Sequence, residues 1–239
     1  MTKPKTKKLS QKLYANLSQI MDSDDAGGEE HLKLSSAESC SIARLPEGGI
    51  FHATVEEVQR SGEIPRMKKF RFQLLHLWLT QNYAPCKVAD IGGGKGFLAY
   101  LLQRGGWDAT VIDPVYQGLP EKYKDLALNQ RLKISPDARV PHISQEFEPH
   151  LAQNFDLLVG MHAHACNVKI IDAAWEHACR FVLLPCCIID EPLYPLPGVH
   201  WLECLAGYAI QKGFAIRPFR LNFRGQNIGF YSVGVRDAA

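Results

Sequence analysis

The sequence predicts a doubly wound α/β fold with a seven-stranded, mostly parallel sheet and an antiparallel hairpin at one edge. From residue 87 onward, short apolar runs alternate with segments whose apolar residues recur at helical spacing. This alternation is typical of βαβ units whose sheet is covered on both faces. The last two apolar runs, "FAIRPFRLNF" and "NIGFYSVGV", are joined by a short connection, which favours an antiparallel hairpin.

Seven strands and four helices are predicted from residue 87 onward, and a fifth helix precedes them. The strands are "KVADI", "DATVID", "RLKIS", "FDLLVGMH" and "RFVLLPCC", followed by the two hairpin strands. The helices are "PRMKKFRFQLLHLWLTQNY" ahead of the first strand, then "GFLAYLLQR", "ISQEFEPHLAQ", "VKIIDAAWEHAC" and "WLECLAGYAIQKG". Their apolar residues recur at helical spacing, so each helix is expected to bury one face.

The chain is predicted to hold one domain, residues 44–239, behind a flexible or partly helical N-terminal tail, residues 1–43. A chain of 239 residues suffices for one sizeable core. The tail carries blocks of like charge and little to bury, although "KLYANLSQIM" has the pattern of a short amphipathic helix. The net charge of +2 is too mild to indicate a nucleic-acid partner by itself.

The cysteines and the apolar runs bear on the compartment. Seven cysteines are an odd number, and the lysine-rich N-terminus lacks the apolar segment of a secretory signal. We therefore expect reduced thiols and a cytoplasmic protein, with the nucleus as the alternative. No run of about 18 apolar residues suggests a membrane span.

The stretch "VADIGGGKGF" places four glycines directly after the first predicted strand. Ligands of doubly wound sheets bind there, and glycine lets the backbone approach them beside a helix N-terminus. A P-loop needs Ser or Thr where Gly96 stands, and a dinucleotide fingerprint needs glycine where Phe97 stands. The spacing that fits is D-x-G-x-G-x-G, formed by Asp90, Gly92, Gly94 and Gly96.

This spacing resembles motif I of the class I S-adenosylmethionine (SAM)-dependent methyltransferases. The resemblance implies a Rossmann-like sheet, with SAM as the cofactor and Asp90 anchoring its methionine end through the ammonium group. The backbone of the turn (Gly92, Gly93, Gly94 and Gly96) would pack against the cofactor. The resemblance also implies an acid at the end of the next strand for the ribose hydroxyls, and Asp113 stands there. An NAD(P)-dependent oxidoreductase places an acid similarly, and only the glycine spacing argues against it.

A wider resemblance covers residues 65–187, about half of the chain. It rests on Lys68-Lys69 in the leading helix, on the loop with Lys95, on "GMHAHACN" and on "LLPCC". These motifs are similar to those of a methyltransferase domain family that includes a eukaryotic tRNA ribose methyltransferase. The resemblance implies that Gly160 belongs to the cofactor site and that Asp137, after the predicted third strand, contacts the adenine amino group. Relatives often have H-x-C-G-[DT] where this chain has "HAHACN", which leaves the substrate open.

Two histidines are the candidate catalytic residues. His162 and His164 follow the fourth predicted strand, where a base would stand beside the transferred methyl group. Alternatively, one is buried and bonded to backbone while the other lines the pocket. The chain lacks the [DN]-P-P-[YF] motif of amino-directed nucleic-acid methyltransferases, which leaves an oxygen, a ring nitrogen or a carbon as the acceptor atom.

The cysteine pair after the fifth strand allows two other readings. Pro185-Cys186 resembles the Pro-Cys of cytosine-C5 methyltransferases, although the context differs. Two histidines and three cysteines (His162, His164, Cys166, Cys186 and Cys187) have side chains that suit zinc. No C-x-x-C pair supports a zinc site. Packed thiols at a strand end are therefore favoured, and no metal is predicted.

RNA is the favoured acceptor, with tRNA as a candidate. The predicted substrate-binding residues are Lys68 and Lys69 on the leading helix and Arg217 and Arg220 on an edge strand. Lysines there would contact phosphates, and arginines among phenylalanines would stack on bases. Solvated helix and strand faces give the same pattern. The alternatives are a methyltransferase of a small metabolite and a catalytically silent module that binds SAM or RNA.

Overall fold

The computed structural model describes residues 13–18, 70–126, 128–223 and 225–235. The α-helices after residue 70 are α1 (Arg71–Asn82), α2 (Phe97–Arg104), α3 (Asn167–Glu176) and α4 (Trp201–Gln211). The strands are β1 (Lys87–Ile91), β2 (Asp108–Ile112), β3 (Lys122–Asp125), β4 (Gln130–Lys133), β5 (His142–Ile143), β6 (Leu157–Met161), β7 (Arg180–Leu184), β8 (Phe214–Arg220) and β9 (Ile228–Val235). None of the described helices combines the length and apolarity needed to cross a membrane.

Seven strands form the main sheet in the order β5-β2-β1-β6-β7-β9-β8. The first five in this order pair in parallel, whereas β9 runs antiparallel to both β7 and β8. The predicted fold class, a mostly parallel seven-stranded sheet with an antiparallel edge hairpin, is confirmed. The carboxyl ends of β1, β2 and β6 therefore meet at one edge of the sheet, which is where the candidate site lies.

Helices cover both faces of the sheet because each central strand buries residues on both sides. Val88 of β1 belongs to the core cluster that contains Leu98 of α2. Ala89, the next residue, belongs to the cluster formed with Ile170 of α3 and Leu205 of α4. Successive side chains of a strand point to opposite faces, so a nearly continuous apolar run such as "KVADI" satisfies two helical layers at once.

The short helix predicted within "KLYANLSQIM" is present at residues 13–18. Leu13 and Leu17, one helical turn apart, are buried in the core cluster that includes α4. The side-chain amide of Asn16 donates to Glu203 of α4 at 2.9 Å. This part of the predicted tail therefore packs on the sheet domain, while the predicted boundary at residues 43/44 lies outside the described residues.

The prediction of a helix over residues 143–153 is wrong. β5 ends at Ile143, the first residue of this segment, and a 3₁₀ helix follows at Pro149–Asn154. Proline disfavours the helical conformation of the residue before it, and Glu148 is extended, with φ −119° and ψ 145°. The helical spacing of the apolar residues is overridden at this position.

The third strand of the sheet is also not the predicted one. "RLKIS" contributes β4, which pairs antiparallel with β3 in a separate two-stranded sheet. The place beside β2 is taken by β5, which has only two residues and is too short to show an alternating pattern. Of the predicted leading helix, the described part is α1, and Lys68 and Lys69 lie outside the described residues.

Candidate functional site

The glycine turn between β1 and α2 owes its shape to an alternation in backbone conformation. Gly92, Gly94 and Gly96 have φ values of 65°, 54° and 69°, which side-chain-bearing residues rarely adopt. Gly93, the fourth glycine, has an ordinary φ, but a Cβ there would lie 2.6 Å from Oδ2 of Asp90. The G-x-G-x-G spacing thus corresponds to three left-handed residues, with close packing requiring the extra glycine.

Asp90 lies beneath this turn and is only 1% exposed. Its Oδ2 accepts a hydrogen bond from the backbone N–H of Ala99 in α2 at 3.3 Å. Burial raises the pKa of Asp90 to about 7, the Ala99 hydrogen bond opposes this shift, and the charge of Asp113 adds to it. Asp90 therefore supports the turn from below and does not reach the cavity beside it.

Asp113 lies on the other side of the same turn, directly after β2. One carboxylate oxygen accepts the N–H of Gly94 at 3.0 Å, and the other accepts the N–H of Val115 at 2.9 Å. The parallel register, with Ile91 opposite Ile112, places this carboxylate beside the glycine turn. The two predicted aspartates thus share one turn, while their contacts with a cofactor stay predictions.

A cavity of about 640 Å³ opens beside the turn, within the range of ligand sites in proteins. Its described lining residues include five cations and no carboxylate, the cations being Arg71, Lys95, Lys122, Lys124 and Arg131. Gln73 also lines it, and among the described residues its buried Oε1 has no hydrogen-bond partner, nor has Nε of Arg71. The unpaired N–H of Arg71 and the positively charged wall suit an anionic ligand, whereas the unpaired Oε1 of Gln73 suits a hydrogen-bond donor on that ligand.

Three of these cations belong to the β3–β4 hairpin, which places like charges directly opposite each other. Lys122 faces Lys133, and Lys124 faces Arg131. Such cross-strand pairs destabilise a hairpin, and the ion pairs found within the described residues involve other side chains. The arrangement becomes favourable when an anion lies across it.

Three contacts fix the hairpin to the site. Tyr123, between the two lysines of β3, packs on Phe97 of α2 with ring centroids 5.3 Å apart and accepts a hydrogen bond from Arg104. The side-chain amide of Gln73 in α1 donates to the backbone carbonyl of Lys124 at 3.3 Å. One face of β3 is therefore anchored to the helices while the other presents its lysines.

The end of β6 forms the remaining wall. Met161 and His162 line the cavity, and the N–H of His162 donates to the carbonyl of Leu184 at 3.1 Å. His162 has a φ of 56°, and its ring lies 6.3 Å from that of Phe223 in the β8–β9 connection. This candidate base therefore has access to the space beside the glycine turn.

Gly160 lies one residue before this wall and does not line the cavity. A Cβ there would approach Cδ1 of Ile170 to 2.7 Å and Cδ2 of Leu183 to 2.9 Å. Packing of β6 against α3 and β7 thus accounts for this glycine, and its role in cofactor binding stays a prediction.

His164 lies apart from the cavity and beside the cysteine pair. Its Nε2 is 3.3 Å from Sγ of Cys186 and 3.8 Å from Sγ of Cys187. Burial, followed by the hydrogen bond with Cys187, raises the pKa of Cys186 to about 11. A protonated thiol is a poor nucleophile, which disfavours the cytosine-C5 mechanism for this cysteine.

Glu191 is a buried residue behind the end of β6 that the sequence did not reveal. It is 2% exposed, and its Oε1 accepts the N–H of Asn167 at 2.8 Å while its Oε2 accepts that of Val168 at 3.1 Å. A carboxylate at a helix N-terminus is favourable, and this one ties the segment after β7 to the start of α3. No spacing in the sequence indicates such a contact between distant segments.

The other predicted residues lie away from the cavity. Arg217 and Arg220 belong to β8, at the edge of the sheet opposite β5, and neither residue lines the cavity. Burial lowers the pKa of Arg220, and the nearby Tyr14 opposes this shift. Asp137 is exposed and precedes β5. The strand that it follows, β4, does not belong to the main sheet, and its contact with adenine stays a prediction.

Sequence reasoning missed the cations of the hairpin, Lys122, Lys124 and Arg131. The signal was present as two short runs that alternate basic and apolar residues, "KYK" and "RLK". Read together, they predict a hairpin with one basic face.

Comparison with known proteins gives relatives of one name. The chain is 33% identical over 104 residues to a "Probable tRNA (uracil-O(2)-)-methyltransferase" of Caenorhabditis elegans, covering 43% of this chain and 17% of that protein. Proteins of the same name from Caenorhabditis briggsae and Homo sapiens are 33% identical over 103 residues and 27% identical over 124 residues. These alignments confirm the resemblance to a tRNA methyltransferase. The chain spans only 15% to 17% of the length of these relatives.

Family models and solved structures add less. No family model matches the chain. The crystal structure of Burkholderia thailandensis 1,6-didemethyltoxoflavin-N1-methyltransferase, with S-adenosylhomocysteine bound, has 18% identity and a TM-score of 0.41, covering 88% of this chain and 100% of that one.

Proposed function

We propose that this protein is a class I SAM-dependent methyltransferase and that its acceptor is RNA, with tRNA as the first candidate. One observation carries the proposal. Asp90 and Asp113 lie on two sides of one glycine turn, at the carboxyl ends of neighbouring parallel strands, beside a cavity of about 640 Å³. In doubly wound sheets this is the place of a nucleotide-like cofactor.

The glycine turn and Asp113 fit the nucleoside part of SAM, whereas the five cations of the cavity wall fit an anionic acceptor rather than this positively charged cofactor. The turn has no side chains that would block the approach of a ligand, and Asp113 places a carboxylate where ribose hydroxyls would donate to it. When bound, SAM supplies an electrophilic methyl group on sulfur, so the protein mainly aligns the acceptor. Asp90 is the proposed anchor of the cofactor ammonium, which its carboxylate, buried beneath the turn, would attract when ionised.

The acceptor is inferred from charge. The five cations of the cavity wall and the like-charged pairs of the β3–β4 hairpin suit a chain of phosphates better than a small neutral metabolite. The relatives named as tRNA methyltransferases support tRNA within the RNA class. Lys68 and Lys69, which precede α1 in the chain, stay predicted phosphate contacts.

His162 is the proposed base. It lines the cavity with Met161, and a neutral imidazole can take a proton from the acceptor near neutral pH.

The six described cysteines are free thiols, which supports a cytoplasmic or nuclear compartment, where thiols are kept reduced.

The decisive experiment incubates the protein with methyl-labelled SAM and separate pools of RNA, protein and small metabolites. We expect label in the RNA pool and, within it, in tRNA. His162→Ala should lower turnover while leaving the affinity for S-adenosylhomocysteine, measured by calorimetry, nearly unchanged.

Each other outcome identifies a rival function. Label in the metabolite pool would identify a small-molecule methyltransferase, and binding of S-adenosylhomocysteine without label in any pool would identify a silent module. Tight nicotinamide binding without S-adenosylhomocysteine binding would identify an oxidoreductase.

A further inference from the structure

Two loops at the carboxyl edge of the sheet bring three metal-binding side chains together. His164 follows β6, whereas Cys186 and Cys187 follow β7. One donor atom from each of the three residues lies within 4.8 Å of the others. Within the described parts of the chain, it is the one group of three or more histidine, cysteine or carboxylate side chains whose ligand atoms lie this close together.

We propose that His164, Cys186 and Cys187 form a zinc site with three protein ligands and an open fourth position. Tetrahedral zinc with bonds of about 2.3 Å to sulfur and about 2.0 Å to nitrogen requires roughly 3.8 Å between sulfurs and roughly 3.5 Å between sulfur and nitrogen. The two sulfurs are 3.5 Å apart, and they lie 3.3 Å and 3.8 Å from Nε2 of His164. The donors therefore stand close to their metal-bound spacing.

The chemistry of the donor set selects the metal. Imidazole and cysteine sulfur, which loses its proton when the metal binds, are ligands of zinc, whereas magnesium and calcium prefer oxygen. Sites with three protein ligands keep a position for water or a substrate atom, while structural zinc sites use four. His164 is exposed and both cysteines are partly exposed, so the fourth position faces solvent.

The surrounding structure holds the two loops in register. Glu191, four residues after Cys187, accepts hydrogen bonds from the first two backbone N–H groups of α3, at 2.8 Å and 3.1 Å. The loop that carries His164 bends through left-handed residues on both sides, with φ values of 56° at His162 and 58° at Ala165. Such a preset backbone lowers the cost of bringing ligands together.

The site separates the two candidate histidines. A metal on Nε2 of His164 occupies the lone pair that a base would use, which leaves His162 to face the cavity. The expectation of no metal depended on the missing C-x-x-C pair. In the proposed site, the histidine comes from a different loop and adds a third ligand to two adjacent cysteines, so a C-x-x-C pair is not needed.

The test measures metal binding by the full chain without SAM, so that it is independent of methyl transfer. Reduced protein freed of metal by a chelator is titrated with Co²⁺. We expect binding of one equivalent, with thiolate-to-cobalt charge-transfer absorption and the visible bands of a tetrahedral ion. Competition with Zn²⁺ should erase both signals.

Variants assign the ligands. Cys186→Ser, Cys187→Ser and His164→Ala should each weaken Zn²⁺ binding by more than the roughly 10- to 100-fold that loss of an outer partner costs. The matched control Cys204→Ser changes a partly exposed thiol of α4 and should keep the wild-type affinity. X-ray absorption of zinc-loaded wild type, with two sulfur and one nitrogen ligands expected, gives the same assignment without any substitution.

Absence of Co²⁺ binding under reducing conditions would overturn the proposal, as would an equal loss in the control. A Cys186–Cys187 disulfide in protein that binds no metal after reduction would replace the metal site by a redox pair. Metal binding without methyl transfer would leave the zinc site intact and overturn the proposed function alone.

Discussion

The glycine turn after β1 and the β3–β4 hairpin line the same cavity but are built in opposite ways. The turn consists of backbone, rests on the buried carboxylate of Asp90 and packs so closely that a Cβ at Gly96 would lie 2.7 Å from Val140. The hairpin presents long charged side chains, with Lys124 opposite Arg131. One element is complete without a ligand, and the other holds unfavourable charge pairs until an anion binds.

The difference shows what each element contributes. A tightly packed turn fixes position, because left-handed glycines and close contacts leave few alternatives. Like charges across a hairpin reduce stability and are retained where they serve binding, as local rules are commonly broken at functional sites. Substitutions in the turn should therefore change stability, and substitutions in the hairpin should change ligand affinity.

The largest expected effect concerns Asp90 beneath the turn. Its pKa is raised from 3.8 to about 7, so the folded protein binds this proton more tightly than the unfolded chain does. This group therefore lowers the free energy of unfolding as pH rises from about 4 to about 7, by up to about 4 kcal/mol. Urea unfolding of wild type and Asp90→Asn across this range should show the two stabilities diverging, and parallel curves would contradict a raised pKa.

Close packing of the turn is tested by two alanines at nearly equal φ. Gly96 has φ 69° and a Cβ there would meet Val140, whereas Gly118 has φ 66° and a Cβ there would meet no atom within 4 Å. Gly118→Ala should cost about 1 kcal/mol for the left-handed backbone. Gly96→Ala should cost about 3 kcal/mol, since overpacking is added. Equal losses in urea midpoint would show that space is not limiting at the turn.

The hairpin is tested by one charge reversal read in two assays. Lys124→Glu should weaken binding of a tRNA transcript on the order of tenfold at low salt and reduce the salt slope by about 0.7 to 0.9. The same variant should raise the free energy of unfolding by about 0.5 kcal/mol, because Glu would face Arg131.

Lys87→Glu is the matched control for this reversal. Lys87 is exposed at the amino end of β1, the opposite end from the cavity, and the variant should leave RNA affinity nearly unchanged. If both variants weaken binding equally, the cations of the hairpin do not form a specific phosphate site.

The parts of the site also differ in how well the sequence predicts them. The spacing of Asp90, Gly92, Gly94 and Gly96 predicts the turn, because its conformation depends on residues close together in the chain. Asp113 is predicted from its place after the next strand. Glu191 and the zinc ligands come together from separate segments, and no local spacing indicates that they meet. The runs "KYK" and "RLK" indicate a basic hairpin, but not that it lies beside the glycine turn. The helix predicted at 143–153 failed because Pro149 overrides a helical pattern.

The sequence by itself determined the layered sheet, since apolar runs and helical spacing are properties of each segment, and it determined the glycine turn, since left-handed residues need glycine. Tertiary structure decided which side chains share the cavity and which cysteines meet His164. Those positions follow from the order β5-β2-β1-β6-β7-β9-β8, in which segments far apart in the chain become neighbours at one edge.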